Sequence, residues 1–361
     1  MKKLDWYILR QLFLAFITCM LIFTVIAVAV DSSEKTDDFV KSGLTGRQII
    51  RQYYIGFVPY IWGMLYPLFV FIGVIYSTSR MAMRTEIIAI LATGTTYNRW
   101  LRTYLAGGLF FAVVLWFAAR YYIPAANDLR STFQARYIDG KSPDELAKPA
   151  AYYMRTDSNT YIGLKYFDTS SRMGNNFFLN RIKGRDLEFN LRADMIQWDS
   201  AARKWRLRNV TTRTVGPMGE TIGQQAEMLM DLHLQPADLR RDQYIKDKLT
   251  TPELARYIAA EELRGNEGVN TLKVEQYRRT ATSYSVVLLT LIGAILAGRK
   301  TRGGSGVHLA LGIIISVVFI MFDRFSTVFS VKGNLPPLLA AWVPNLLFTF
   351  IAIYLYRKAP K

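Results

Sequence analysis

Six stretches of the chain are apolar over about the length of a membrane-spanning helix, and polar sequence separates them. They lie at residues 9–30, 53–76, 101–123, 283–297, 307–322 and 335–356. About 20 apolar residues are needed to cross the hydrocarbon core of a bilayer, and the fourth stretch reaches this length with its flanks. The pattern predicts a polytopic α-helical membrane protein with six transmembrane helices.

The sequence between the third and fourth stretches has a different period. Apolar and polar residues alternate at 187–193, 195–198 and 205–208, with shorter candidate strands at 152–154, 161–166, 177–182 and 226–232. This alternation is typical of half-buried strands, and short strands separated by turns predict an antiparallel sandwich or open barrel. Thr251 as N-cap and Pro252 as the first helical residue then predict a linker helix at the end of the insertion.

The chain therefore divides into three predicted parts. Residues 1–124 carry transmembrane helices 1–3, residues 125–272 form the all-β insertion with its C-terminal linker helix, and residues 273–361 carry helices 4–6. The first apolar run is longer than a typical signal-peptide core, so we expect an uncleaved anchor.

The strongly basic charge follows this division. Residues 125–272 hold 22 Lys and Arg against 20 Asp and Glu, so about +15 of the net charge of +17 belongs to the membrane segments. Because Lys and Arg accumulate in cytoplasmic loops, the basic connections predict that both termini are cytoplasmic and that the insertion lies outside. Topology explains the basic charge, so no nucleic-acid partner is expected.

Few residues suggest chemistry. The only histidines are His233, in the predicted soluble domain, and His308, at the start of the fifth span, which are too few to predict a histidine-based metal cluster or a catalytic triad. The single Cys19 lies inside the first apolar stretch, where it is interpreted as a packing residue. No metal, cofactor or catalytic residue is predicted.

One connecting segment, between the second and third apolar stretches, has a short helical pattern. Its apolar side chains include Ile87, Ile90 and Leu91, and Gly94 follows as a helix stop. Glu86 is a lone acid beside Arg84 in an otherwise basic loop. A helix lying on the lipid surface would explain the apolar face, although such a helix has no need of the acid.

At this segment the sequence resembles the LptF/LptG permeases of the lipopolysaccharide exporter. The resemblance covers nearly the whole chain and rests on residues 4–10, residues 86–94, and the last span with residues 335–337 and 342–345. The plan of three spans, a soluble domain and three spans is also similar. One departure is Ser283, where the family commonly has a proline at the start of the fourth span. The spacing from Asp323 to Pro337 favours LptG over LptF.

This resemblance implies a role in the bacterial inner membrane. Two such permeases, LptF and LptG, would pair over a dimer of the ATPase LptB, with the bitopic protein LptC alongside. Lipopolysaccharide would enter the cavity between the permeases and pass to a periplasmic bridge that begins at the β-jellyroll domain. The chain itself would hydrolyse nothing, and residues 84–94 would be the helix that couples it to the ATPase.

The resemblance also suggests residues that contact or gate the lipid. Lys35 and Lys41 correspond to cavity lysines, which could pair with a lipid phosphate. Neighbouring acids also allow a mixed, solvated loop. Asp323 and Arg324 are interpreted as gate residues or as a simple interfacial pair. The alternative function is a membrane-anchored sensor or scaffold with a ligand-binding β domain, and a lipid-modifying enzyme would need a catalytic group that the sequence does not suggest.

Overall fold

The computed structural model describes residues 3–139, 152–157, 159–168, 171–184, 186–216, 219–232, 234–236, 244–263, 268–299, 304–333 and 335–359. Within these ranges six helical stretches are long and apolar enough to cross a membrane: Lys3–Glu34, Gly46–Met83, Tyr97–Ile138, Val269–Ala297, Gly306–Lys332 and Pro337–Lys358. The predicted fold, six transmembrane helices with an inserted β domain, is confirmed.

The helices preceding the insertion are numbered in chain order. They are α1 (Lys3–Glu34), α2 (Thr36–Lys41), α3 (Gly46–Ile49), α4 (Ile55–Met83), α5 (Glu86–Ala92), α6 (Tyr97–Phe117) and α7 (Ile123–Phe133). Single π-helical turns occupy Ile50–Tyr54, Ala118–Tyr122 and Gln134–Ile138. The turn Ile50–Tyr54 joins α3 to α4, so these segments form one apolar stretch.

The helices that follow the insertion are α8 (Ile245–Lys248), α9 (Thr251–Leu263), α10 (Val269–Ala297), α11 (Gly304–Lys332) and α12 (Pro337–Lys358). The predicted linker helix is α9, but its cap is Thr250 and not Thr251. The carbonyl oxygen of Thr250 accepts a hydrogen bond from the Leu254 amide at 2.8 Å, and the Glu253 carboxylate accepts one from the Thr250 amide at 2.9 Å. Glu253 therefore selects Thr250, three residues before it, as the cap.

The insertion contains one antiparallel sheet of six described strands. They are β1 (Tyr152–Arg155), β2 (Thr160–Asp168), β3 (Met173–Lys183), β4 (Asp186–Asp199), β5 (Lys204–Gly216) and β6 (Gly219–Met230), in the spatial order β1-β2-β3-β4-β5-β6. The antiparallel all-β character is as expected. Each described strand pairs with its neighbour in sequence, so the sheet is an up-and-down meander without Greek-key crossovers among these strands.

Tight turns set the register of this meander. Between β4 and β5, the Asp199 carboxylate accepts hydrogen bonds from the amides of Ala201 and Ala202 at 3.0 and 3.1 Å. These amide donors and the Arg206 guanidinium lower the pKa of Asp199. Asx turns of this kind hold the chain where it reverses direction.

The described chain divides into two compact units. One comprises Met1–Ser131, Asp247–Leu254 and Asn270–Lys361, and the other comprises Thr132–Lys246 and Ala255–Val269. In the first unit one core cluster joins residues of α1, α4, α5, α6 and α10, and another joins residues of α4, α10, α11 and α12. Small residues permit close helix contacts, because a Cβ on Gly73 would lie 3.0 Å from the backbone nitrogen of Phe16.

The second unit has a core of its own. Trp205 of β5 is fully buried, and its indole Nε1 donates a hydrogen bond to the Leu234 carbonyl oxygen at 2.7 Å. Leu232 and Leu234, from the segment after β6, belong to the same apolar cluster as the inward-facing strand residues. This sheet face is therefore covered by the unit's own chain.

We expect this unit to fold without the membrane helices, since its buried face is covered from within. A fragment of residues 130–265, expressed alone, should be soluble, give a strand-rich circular dichroism spectrum and melt cooperatively. A helical or unfolded spectrum would contradict this prediction.

Candidate functional site

The segment predicted to couple the chain to an ATPase forms the seven-residue helix α5. Both of its ends have left-handed backbone: Thr85 before it has a φ of 60°, and Gly94 after it has a φ of 86°. A β-branched residue is a rare occupant of this region, and a non-glycine residue there costs about 1–3 kcal/mol. The two sharp ends separate α5 from α4 and α6 as a helix of its own.

Glu86 begins α5 and remains accessible. Its Oε2 accepts a hydrogen bond from the Tyr7 hydroxyl at 3.0 Å, and its Oε1 lies 3.9 Å from Arg84 Nη1. The side chain is 25% exposed, so another protein could still reach the carboxylate. Tyr7 belongs to α1, and Glu86 therefore links α5 to the first span.

The apolar side chains of α5 face two ways. Ile87 is only 3% exposed and lies in the core cluster that includes Met81 and Trp100, while Ile90 and Leu91 pack against that cluster. These three side chains pack against this chain's own core, with Ile90 and Leu91 half-buried, and their contact with the ATPase stays a prediction. Ile88, which the sequence interpretation omitted from the site, is 56% exposed.

A second candidate cluster lies at the other end of α1, around Lys35. Its ammonium donates to Asp31 Oδ1 at 2.6 Å and to the Tyr53 hydroxyl, which in turn donates to Asp31 Oδ1 at 3.0 Å. The Lys35 ammonium also lies 4.8 Å from the centroid of the Tyr53 ring and 5.7 Å from that of Phe57. Lys35 thus ties the end of α1 to the π-helical turn Ile50–Tyr54 before α4, whereas Lys41 ends α2 and is exposed.

The third candidate pair, Asp323 and Arg324, consists of neighbours in α11 that interact electrostatically. Asp323 Oδ2 lies 3.9 Å from Arg278 Nη1 of α10, and Arg278 Nη2 lies 2.7 Å from Glu275 Oε2. Arg324 is exposed. The ion pair seen at Asp323 therefore joins α11 to α10. Arg278 and Glu275 were missed because no short sequence spacing connects them to Asp323.

Comparison with known proteins gives these clusters a family context. The family model described as "Lipopolysaccharide export system permease LptF/LptG" matches residues 6–358. The chain belongs to the LptF/LptG family. The resemblance drawn from residues 4–10, 86–94 and the last span is thereby confirmed.

Two curated LptF/LptG relatives are similar over most of their length. Both are named "Lipopolysaccharide export system permease protein LptG", one from Escherichia coli strain K12 and the other from Escherichia coli O6:H1. Each is 18% identical to this chain over 297 residues, which are 82% of this chain and 81% of the relative. Both are LptG proteins, which is consistent with the preference for LptG.

This LptF/LptG permease is therefore a multi-pass inner-membrane component of lipopolysaccharide export. A permease of this family is a component of a transporter, in agreement with the expectation that the chain is not an enzyme. The roles of α5, Lys35, Lys41, Asp323 and Arg324 remain predictions.

Proposed function

We propose that this chain is a permease subunit of an ABC transporter that extracts lipopolysaccharide from the inner membrane and passes it to a periplasmic bridge. A separate cytoplasmic ATPase dimer, similar to LptB, supplies the energy. A second permease of the same family and a bitopic protein similar to LptC complete the complex, and the β domain begins the bridge.

The observation that carries this proposal is the form of α5. A partner that drives transport must move the spans through a contact outside the bilayer, and α5 presents Glu86 and Ile88 at the surface while Ile87 anchors it in the core. The exposed carboxylate suits a basic side chain in a partner groove, and Ile88 suits an apolar wall of that groove. We propose that Glu86 and Ile88 make this contact, with Arg84 and Gly94 at its edges.

Contacts among the helix ends support a cytoplasmic position for α5. The Tyr356 hydroxyl near the end of α12 donates to Asn98 Oδ1 at 2.7 Å, and Arg299 Nη2 donates to the Lys358 carbonyl oxygen at 2.6 Å. The beginning of α6 and the ends of α10 and α12 therefore lie together, and all three carry basic residues. The positive-inside bias assigns such an end to the cytoplasm.

Cysteine labelling tests this orientation. In a Cys19→Ser background, single cysteines at Ser200 and at Ser305 should react differently with an impermeant thiol reagent in intact cells. Ser200 lies in the exposed turn between β4 and β5, so we expect labelling at residue 200 only. Labelling at residue 305 but not at 200 would invert the topology.

Co-purification tests the function itself. The tagged chain, solubilised in mild detergent from its native membrane, should bring down a soluble ATPase and a second permease of similar plan, together with lipopolysaccharide. A sensor, a scaffold or a lipid-modifying enzyme should bring down neither protein. Recovery of the chain without an ATPase would refute the proposal.

A further inference from the structure

The first turn of α1 is tied to the beginning of α6 by a buried carboxylate. Asp5 is 8% exposed; its Oδ2 accepts a hydrogen bond from Arg99 Nη2 at 2.9 Å, and its Oδ1 accepts one from Thr103 Oγ1 at 3.0 Å. Arg99 and Thr103 are four residues apart on α6, so they present their side chains on one face of that helix. An ion pair with Arg99 combined with a hydrogen bond from the Thr103 hydroxyl fixes both the position and the orientation of the Asp5 carboxylate.

The same turn of α1 also contacts α5. The hydrogen bond from Tyr7 to Glu86 lies two residues from Asp5, so α1 is attached both to α5 and to the helix after it. The connection between α5 and α6 contains only residues 93–96, and the Thr96 side chain caps α6 by accepting from the Arg99 amide at 3.4 Å. A displacement of α5 must therefore act on Arg99 through a short, capped connection.

The helix attached at this corner can carry a displacement over a long distance. α1 is one α-helix of 32 residues without proline or glycine, and its length is about 48 Å at a rise of about 1.5 Å per residue. α6 approaches it closely, because a Cβ on Gly107 would lie 2.9 Å from Leu9 Cδ2. The far end of α1 carries Asp31, and Lys35 follows it directly; both are hydrogen-bonded to Tyr53.

We infer that Asp5 is a positioning residue that fixes the first span to the corner between α5 and α6. A movement imposed on α5 then displaces α1 as a rigid body and reaches the cluster of Asp31, Lys35 and Tyr53. The inference rests on the proposed function, because that function supplies the ATPase that moves α5. Asp5 contacts neither nucleotide nor lipid in this mechanism and acts through Arg99 and Thr103.

The test uses the full chain in its complex with the ATPase and the second permease, reconstituted with lipopolysaccharide in proteoliposomes. Asp5→Asn keeps an acceptor for Thr103 and removes the charge that faces Arg99. We expect the lipid released per ATP hydrolysed to fall about tenfold, while ATP hydrolysis changes less than twofold and the complex assembles normally. The charge swap that combines Asp5→Arg with Arg99→Asp should recover at least half of the lipid release per ATP hydrolysed that Asp5→Asn loses.

A matched control removes a different hydrogen bond of α1. Thr24 accepts from the Trp62 indole at 2.8 Å and lies far from α5, so Thr24→Val should leave the ratio of lipid to ATP unchanged. In the chain alone, spin labels at Trp6→Cys and Ala92→Cys in a Cys19→Ser background report the distance from α1 to α5. Asp5→Asn should broaden the distance distribution, and Thr24→Val should not.

Three results would overturn the inference: a normal ratio of lipid to ATP in Asp5→Asn, an unchanged distance distribution, or an equal loss of ATP hydrolysis and lipid release with a lower melting temperature. The last result would make Asp5 a stabilising residue only. Failure of the unmodified chain to bring down an ATPase is measured separately and would refute the proposed function, whereas the distance measurement tests the attachment of α1 without any partner.

Discussion

Replacing Glu86 with Arg is expected to prevent assembly of the permease with its ATPase while leaving the six-helix fold intact. Truncating one partner of a buried, hydrogen-bonded charge pair at an interface costs about 2–5 kcal/mol. Because about 1.4 kcal/mol corresponds to a tenfold change in the dissociation constant, this cost weakens binding by about 30-fold to more than 1,000-fold. Glu86→Ala should show this loss, and Glu86→Arg should be worse because it adds repulsion from a basic partner. The measurement is the ATPase recovered with the tagged chain.

Tyr7→Phe separates this role from a role within the chain. It removes the hydroxyl that donates to Glu86 but keeps the carboxylate available to a partner. If Glu86 acts on the ATPase, Tyr7→Phe should retain most of the assembly that Glu86→Ala loses. Equal losses in the two variants would show that Glu86 acts on α1, and normal assembly and lipid transport by Glu86→Arg would exclude the coupling role.

The depth of each α5 side chain could not be read from the sequence. Helical spacing places Ile87, Ile90 and Leu91 on one face with Ile88 beside Leu91 at its edge, so an apolar face was predictable but the exposure of Ile88 was not. Which face meets the chain's own core depends on Met81 and Trp100, which other helices supply. The pattern therefore identified the helix, but not the burial of Ile87 against other helices.

The long-range contacts of the charged candidates were also beyond the sequence pattern. The spans and the β insertion follow from local periodicity, which is why they were predicted. In contrast, Tyr53 reaches Lys35 from the π-helical turn before α4, and Asp323 forms an ion pair with Arg278 of α10. Helix packing selects such partners, and the alternation of apolar and polar residues does not show which helices pack against each other.

The cluster around Lys35 yields the other large expected effect. Asp31→Ala should lower the free energy of unfolding in detergent micelles by about 3 kcal/mol, because removal of one member of a buried ion pair leaves the other charge without compensation. The Asp31 and Lys35 side chains are 9% and 19% exposed, so water screens their pair only weakly. Lys41→Met, at an exposed lysine of α2, should change stability by less than about 0.5 kcal/mol.

A double-mutant cycle distinguishes a structural Lys35 from one that is held ready for a lipid phosphate. If the pair stabilises the junction of α1 with Tyr53, Lys35→Met in the Asp31→Ala background should recover stability, since it removes the uncompensated charge. A coupling free energy of about 2 kcal/mol between the two positions would establish that role. If Asp31→Ala instead leaves stability unchanged and Lys35→Met lowers only lipopolysaccharide binding, the Lys35 ammonium binds the lipid phosphate and its ion pair with Asp31 does not stabilise the fold. Measuring stability and lipopolysaccharide binding for Lys41→Met then shows whether this exposed lysine also binds the lipid.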